Sequence, residues 1–224
     1  MIAGVVSKDF GLLASDSAMY DTSNSVMSFQ TLKLYNSARY LFTFIGTPMY
    51  FSKLDRSKLE ADLPSLSIYM ESYLKGIKPE VEKMMKSEIA DLDANQPHFC
   101  LLALGLHKKL PTITQFNSYT NFKPKYLFSD GGPKFSTILF GDDTRKKVFQ
   151  DSTTYMEKKW SKWEKKGMVF SPGIAAELLT RGIYKSSDFD AELGLKQKFS
   201  GGAVSVGGIL NSGLLVTLTG LTPA

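Results

Sequence analysis

Side chains suited to covalent or metal chemistry are scarce in this sequence. Its 224 residues include one cysteine, Cys100, and two histidines, His98 and His107. A disulfide framework and a zinc site of Cys and His ligands both need more of these residues, so we expect no metal and no cofactor. Cys100 stands in a strongly apolar segment, which predicts a buried, unreactive thiol. The histidines are interpreted as structural or exposed residues.

Sequence motifs of the common enzyme classes are absent as well. The chain has no G-x-S-x-G nucleophile elbow, no Walker A loop and no G-x-G-x-x-G after a predicted strand. The chain has two lone histidines, so a Ser-His-Asp arrangement is not expected. Asp142 and Asp143 form an acidic pair, which is interpreted as capping the start of a helix, with a metal pair as the alternative.

The strongest surface signal is a segment rich in lysine and tryptophan, residues 157–166, which holds five lysines against two glutamates. Trp160 and Trp163 recur at helical spacing and share one face, while Lys159 and Lys162 lie on others. Such a helix either packs its Trp face on the protein body with its lysines in solvent, or these four residues contact a membrane surface, a phosphate group or another subunit. Both interpretations stay open.

The composition predicts one folded domain over residues 1–224. Hydrophobic residues make up 43% of the chain and aromatic residues 12%, which excludes disorder. The net charge of +5 is partly local, because residues 157–166 hold five lysines against two glutamates and the rest of the chain is close to balanced, so no specific nucleic-acid partner is expected. No apolar stretch reaches the length of a membrane span and the first residues lack the pattern of a signal peptide. We therefore expect a cytoplasmic protein without transmembrane insertion.

Hydrophobic periodicity predicts hairpins of strands separated by pairs of helices. The predicted strands cover residues 2–7, 12–15, 26–35, 40–45, 99–106, 112–119, 126–128, 136–140, 203–210 and 214–218. The predicted helices cover residues 49–60, a long stretch after Pro64 that Pro79 breaks or kinks, a region after 141–143, and residues 174–184. Strands joined as hairpins form antiparallel sheets. The expected fold class is α+β, a four-layer αββα sandwich of two antiparallel sheets flanked by helices.

Four motifs in the first fifty residues carry a resemblance to a known family. They are GVV at residues 4–6, GLLASDS at 11–17, FQTLKLY at 29–35 and FTFIG at 42–46. In order and spacing they resemble the proteasome β-subunit family and its bacterial proteasome-like relatives. That family shows a G-V strand, an A-x-D-S motif, a lysine before two apolar residues, and a strand that ends near a glycine. SGGAV at residues 200–204 is similar to a later element of the family.

The resemblance implies an N-terminal-nucleophile hydrolase fold, which agrees with the αββα prediction. In such enzymes the first residue of the mature chain is Thr, Ser or Cys, and its own α-amino group acts as the base. By motif match, Lys33 takes the place of the lysine that tunes this amine, and Asp16 takes the place of the aspartate that fixes the lysine. The backbone N–H of Gly46 takes a place in the oxyanion hole.

The sequence departs from that pattern where the nucleophile belongs. Met1, Ile2 and Ala3 precede the Gly-Val strand, and none of them carries a nucleophilic oxygen or thiol. Removal of Met1 is disfavoured before a residue as bulky as Ile2. We therefore expect a non-catalytic structural or assembly subunit, in which Asp16 and Lys33 remain as a buried ion pair. The alternative is an N-terminal-nucleophile peptidase or amidase with an unusual or processed site.

Exposed-looking aromatic residues favour an assembly of several copies, because such residues anchor subunit interfaces, unless packing within the fold absorbs them. They are Tyr20, Tyr119, Phe122, Tyr126 and Phe128. The expected partners are copies of the same chain in a homo-oligomeric ring or a larger particle, with other subunits as further partners.

Overall fold

The structure is a computed structural model that describes residues 1–17, 19–21, 26–28, 33–45, 53–88, 100–138, 143–192 and 203–221. Within these ranges it is a mixed α+β protein with two five-stranded antiparallel sheets, one two-stranded hairpin and three α-helices. The predicted class, α+β with antiparallel sheets, is confirmed at this level.

The strands follow one another in the predicted order, except that a short strand, Met19–Asp21, lies where no strand is predicted. The strands are β1 (Ile2–Val6), β2 (Phe10–Asp16), β3 (Met19–Asp21), β4 (Val26–Ser28), β5 (Leu34–Asn36), β6 (Leu41–Ile45), β7 (Cys100–His107), β8 (Leu110–Asn117), β9 (Lys125–Phe128), β10 (Lys134–Ile138), β11 (Val204–Leu210) and β12 (Leu215–Leu221). The α-helices are α1 (Leu63–Glu88), α2 (Asp143–Glu164) and α3 (Pro172–Glu192), and short 3₁₀ helices cover Arg56–Glu60 and Ser118–Thr120.

Each large sheet is built around a hairpin of apolar strands. The first sheet has the order β10-β1-β2-β11-β12 and the second the order β5-β6-β7-β8-β9, while β3 and β4 pair separately. In the β1–β2 hairpin Ile2 is opposite Ser15 and Val6 is opposite Gly11. The Ser7 N–H donates to the carbonyl of Phe10 at 2.9 Å and closes the turn. This register brings the beginning of β1 beside the end of β2.

Three apolar clusters show how the sheets and helices stack. Because side chains alternate along a strand, β1 and β2 contribute to two different cores. Ala3, Val5 and Leu12 pack with Met156 of α2 and Leu179 of α3. The opposite faces of β1 and β2 meet the second sheet, through Ile2, Val6, Leu13, Leu102, Leu104 and Ile113. The far side of the second sheet is covered by α1, through Leu66, Met70, Leu74, Phe42, Phe44 and Phe116. This succession is compatible with the predicted sandwich.

Several local predictions differ from the structure. Pro79 lies inside α1, which continues to Glu88, so it does not break the helix. Val81, beyond Pro79, is buried in the core that α1 forms with the second sheet. This packing outweighs the loss of the backbone hydrogen bond that proline cannot donate. In place of a helix over 49–60, the described part holds the 3₁₀ helix Arg56–Glu60, which the Asp55 carboxylate caps by accepting from the Ser57 N–H; residues 46–52 lie outside the described ranges.

Two further differences concern a strand and an aromatic residue. The predicted strand over 26–35 is represented by β4 and β5, and residues 29–32 lie outside the described ranges. Phe122, predicted to be exposed in a loop, is buried under α1. The burial of Tyr20 lies outside what the structure describes. Among the described helices, none combines the length and apolar character that crossing a membrane requires.

Candidate functional site

The candidate site is built around Asp16, the last residue of β2. Because β1 and β2 are antiparallel, the residue before β1 comes to lie beside this position, and the Asp16 N–H donates to the carbonyl of Met1 at 3.2 Å. On its other side β2 pairs with β11, where Val204 is opposite Asp16. Asp16 is therefore held in the interior of the first sheet, and its carboxylate is removed from water.

Two positive groups bind this carboxylate, one at each oxygen. The α-ammonium group of Met1 donates to Oδ2 at 2.8 Å, and Nζ of Lys33 donates to Oδ1 at 2.8 Å. The hydrogen bond between the ammonium and the carboxylate is buried, whereas the Lys33 side chain is 14% exposed. A buried charge is tolerated when it is paired and hydrogen-bonded, and Asp16 meets both conditions.

Lys33 connects the two sheets through this contact. It immediately precedes β5 of the second sheet, and the next residue, Leu34, is buried in the core between the sheets. Asp16 belongs to the first sheet. The ion pair between them therefore fastens the first sheet to the second at the end of the core.

The side chain of residue 1 packs away from this polar cluster. Met1 is buried in the core that the first sheet forms with α2 and α3. Its thioether sulfur carries no proton and is a weak hydrogen-bond acceptor, so it does not replace the hydroxyl or thiol of an acyl-transfer nucleophile. The hydroxyl of Ser15 is also buried, and it donates to the carbonyl of Asp16 at 3.1 Å.

The structure therefore brings together two of the three residues that the resemblance selected. Asp16 and Lys33 are in direct contact, whereas Gly46 lies outside the described residues, so its place in an oxyanion hole is not described. The sequence motifs did not predict the ion pair between Asp16 and the ammonium of Met1. The signal that could have revealed it is the register of the opening hairpin, in which residue 2 is opposite residue 15.

Cys100 and His107 are not part of the described cluster of charges. Cys100 is buried between the two sheets, as predicted, and this burial raises the pKa of its thiol to about 12. His107 ends β7 and is partly exposed, while His98 lies outside the described residues. In the described ranges no group of three or more His, Cys, Asp or Glu side chains is arranged to hold a metal ion.

The lysine and tryptophan segment forms the second half of α2. Trp160 is 7% exposed, and its ring lies 4.8 Å from that of Phe170 in an edge-to-face contact. Trp163 packs on the same core with part of its surface exposed, and Nζ of Lys159 lies 5.4 Å from the centre of its ring. Lys162 is exposed. The interpretation in which the Trp face packs on the protein body therefore holds, and Trp160 is too deeply buried to contact a partner.

Comparison with known proteins adds no family. No protein-family model matches the chain, and no curated protein matches it.

Proposed function

We propose that this protein is a non-catalytic structural or assembly subunit with a proteasome-like, N-terminal-nucleophile hydrolase fold. The observation that carries the proposal is the closed cluster of the Met1 ammonium, the Asp16 carboxylate and the Lys33 ammonium, with a thioether where the nucleophile belongs. The four motifs of the first fifty residues and the stacked antiparallel sheets support the choice of fold.

The hydrogen bonding of the cluster supports the absence of catalysis. In the N-terminal-nucleophile mechanism the α-amino group must be neutral, because it accepts the proton of the nucleophile. Here the α-amino group lies 2.8 Å from the buried Asp16 carboxylate, and a carboxylate at hydrogen-bond distance favours the protonated, ammonium form of an amine. An ammonium has no lone pair with which to accept a proton, and residue 1 has no hydroxyl or thiol proton to give.

The same cluster has an evident structural role. One buried carboxylate joins the beginning of β1, the end of β2 and the residue before β5. Loss of one partner of a buried ion pair costs about 3–5 kcal/mol, because the remaining charge is left without compensation. Retention of Asp16 and Lys33 in a chain without a nucleophile is explained by this energetic cost.

Exposed aromatic residues on the second sheet support the assembly of several copies. Tyr126 and Phe128 lie on β9, at one edge of that sheet, and are 45% and 49% exposed. Tyr119, just before β9, is exposed to a similar extent. Edge strands are usually covered or protected in folded proteins, and aromatic residues are typical of the buried centre of an interface. We therefore place a contact between copies at β9.

Native mass spectrometry of the untagged protein, with the intact mass of its chain, tests both parts of this proposal. We expect a discrete oligomer of chains that retain Met1, and a shift towards smaller species in Y126S/F128S. I68S/L214S, which replaces two exposed apolar residues of α1 and of the turn before β12, provides a control for loss of apolar surface. A strictly monomeric protein would rule out the assembly, and a shortened chain that begins with Ser or Thr would rule out the non-catalytic assignment.

The second candidate function is an N-terminal-nucleophile peptidase or amidase. The observation that favours it is the convergence of an α-amino group, Asp16 and Lys33 in one cluster. Hydrolysis of fluorogenic peptides by the purified protein, lost in K33M and retained in a variant of an exposed lysine such as K75M, would establish this candidate. We expect no hydrolysis above the rate of the buffer.

A further inference from the structure

The end of α2 and the turn that follows it, residues 158–169, form a surface that the proposed function does not use; we call it the α2 tip. The helix ends in a defined capping motif. The Gly167 N–H donates to the carbonyl of Glu164 at 2.9 Å, and the Met168 N–H donates to the carbonyl of Trp163 at 3.1 Å. Gly167 has φ +81°, the left-handed conformation that this motif requires. The α2 tip is therefore held in one conformation.

The capping motif directs apolar side chains into solvent. Val169 is 82% exposed and Met168 is 39% exposed. The next residue, Phe170, turns back into the core, where its ring stacks on Phe10 at 5.4 Å and contacts Trp160 at 4.8 Å. Val169 thus projects from a turn that is anchored on both sides, and neither it nor Met168 can fold back into the core without breaking these contacts.

Lysine side chains surround this apolar point. Lys158, Lys162, Lys165 and Lys166 are exposed, and Lys159 covers the ring of Trp163. Lys158 and Lys162 lie one helical turn apart on the same face of α2, and Lys165 and Lys166 lie in the turn that follows its last residue, Glu164. Over residues 158–169 the chain carries five lysines against one glutamate and no arginine. The α2 tip is therefore a positively charged surface that surrounds the exposed aliphatic side chain of Val169.

We propose that the α2 tip binds the surface of an anionic lipid bilayer, with the lysines on the headgroups and Val169 inserted at the boundary of the acyl chains. The chemistry favours this occupant over two others. A protein interface is enriched in aromatic residues, Met and Arg and depleted in Lys, whereas the exposed side chains of the α2 tip are mainly lysines. A single-stranded nucleic acid needs exposed aromatic rings for stacking, and the rings of Trp160 and Trp163 are buried or partly covered.

Binding at this point is peripheral and reversible. The four exposed lysines supply the electrostatic attraction to acidic headgroups, and each contributes about a fivefold factor to the partition coefficient close to the surface. Val169 supplies a small apolar contribution, and stable attachment to membranes generally needs two such signals together. This inference is independent of the proposed assembly role, because it uses α2 and leaves β9 free.

Sedimentation of the full-length protein with vesicles tests the proposal. We compare vesicles of phosphatidylcholine mixed with phosphatidylserine with vesicles of phosphatidylcholine alone. We expect binding to the first kind only, weakened as the salt concentration rises. K162Q/K165Q lowers the partition coefficient about 25-fold through the loss of two charges. V169S lowers it roughly tenfold, since full burial of a valine side chain is worth at least that factor.

A matched control separates the α2 tip from the overall positive charge. K58Q/K83Q makes the same change of charge at two exposed lysines, in the 3₁₀ helix Arg56–Glu60 and in α1, and we expect it to leave vesicle binding within about twofold of the native protein. Equal losses in the two double variants would overturn the proposal, as would equal binding to both kinds of vesicle or no binding at low salt. Two results together would assign the lysines to a nucleic acid instead. V169S would retain full vesicle binding, and the protein would bind a single-stranded oligonucleotide more tightly than acidic vesicles.

Discussion

Replacement of Asp16 by asparagine is the most direct test of the buried charge cluster. Asn has nearly the same shape as Asp, so D16N removes the negative charge with little change in packing. It leaves the Met1 ammonium in a buried contact with a neutral amide, and it removes the charge of the carboxylate that Lys33 contacts. The perturbation therefore isolates the electrostatic contribution of one carboxylate.

The size of the effect follows from the two contacts. Each hydrogen bond to a charged group contributes about 1.5–3 kcal/mol, and breaking a buried ion pair costs about 3–5 kcal/mol. Lys33, at 14% exposed, recovers part of its loss by hydration, whereas the contact of the Met1 ammonium is buried and recovers less. We expect D16N to lower the free energy of unfolding by about 3–5 kcal/mol. K33M should cost less, about 1.5–3 kcal/mol, because Asp16 then keeps the ammonium.

Equilibrium unfolding in urea, followed by far-UV circular dichroism, measures these differences. D188N is the matched control, because Asp188 makes the same kind of contact with Lys185, at 3.1 Å, on the exposed surface of α3. Exposed ion pairs contribute about 0–1 kcal/mol, so D188N should remain close to the native protein. A D16N variant within about 1 kcal/mol of D188N would refute the claim that the cluster is buried and stabilising.

Three further predictions concern other described residues. The Thr43 hydroxyl is buried without a hydrogen-bond partner among the described residues. In urea unfolding, T43V should therefore leave the free energy of unfolding unchanged or raise it by about 1 kcal/mol. A decrease of that size would show that the hydroxyl has a partner. Burial raises the pKa of the Cys100 thiol to about 12. A thiol reagent at pH 8 should therefore label the native protein far more slowly than the urea-unfolded chain. Equal labelling rates would place the thiol at the surface. Hydrogen bonds from Ser65 lower the pKa of Asp62, whose carboxylate accepts from the Ser65 N–H at 2.9 Å at the start of α1. The contribution of this carboxylate to the free energy of unfolding is complete above its ordinary pKa of about 4. It is lost as the pH falls through the lower pKa that the group has in the folded protein. D62N should therefore flatten the acid side of a plot of unfolding free energy against pH, and unchanged slopes would contradict this assignment.

Local sequence patterns determined most of the elements. The apolar runs on either side of residues 7–9 predict the β1–β2 hairpin, because a turn between two apolar strands leaves them antiparallel. The serine-proline pair at residues 171–172 predicts the start of α3, since proline is well tolerated at the first helical position. Apolar strand runs joined by short turns predict two antiparallel sheets. These features depend on neighbours in the chain, which the sequence displays directly.

Features that depend on distant residues needed the tertiary structure. The spacing of Trp160 and Trp163 shows that they share a helix face, but only the packing of Phe170 against Trp160 shows that this face is covered. Phe122 follows a polar turn and would be exposed in an isolated loop, yet α1 packs over it. Periodicity identifies an apolar face, whereas the element that covers that face is chosen by the whole chain.

The charge cluster shows the same division. The motifs of the first fifty residues selected Asp16 and Lys33 as a pair, and their side chains are in contact. That the Met1 ammonium takes the second oxygen of the carboxylate was decided by the register of β1 on β2. Register is set by the packing of alternate side chains against two different cores, so it becomes definite only when both sheets and their helices are in place.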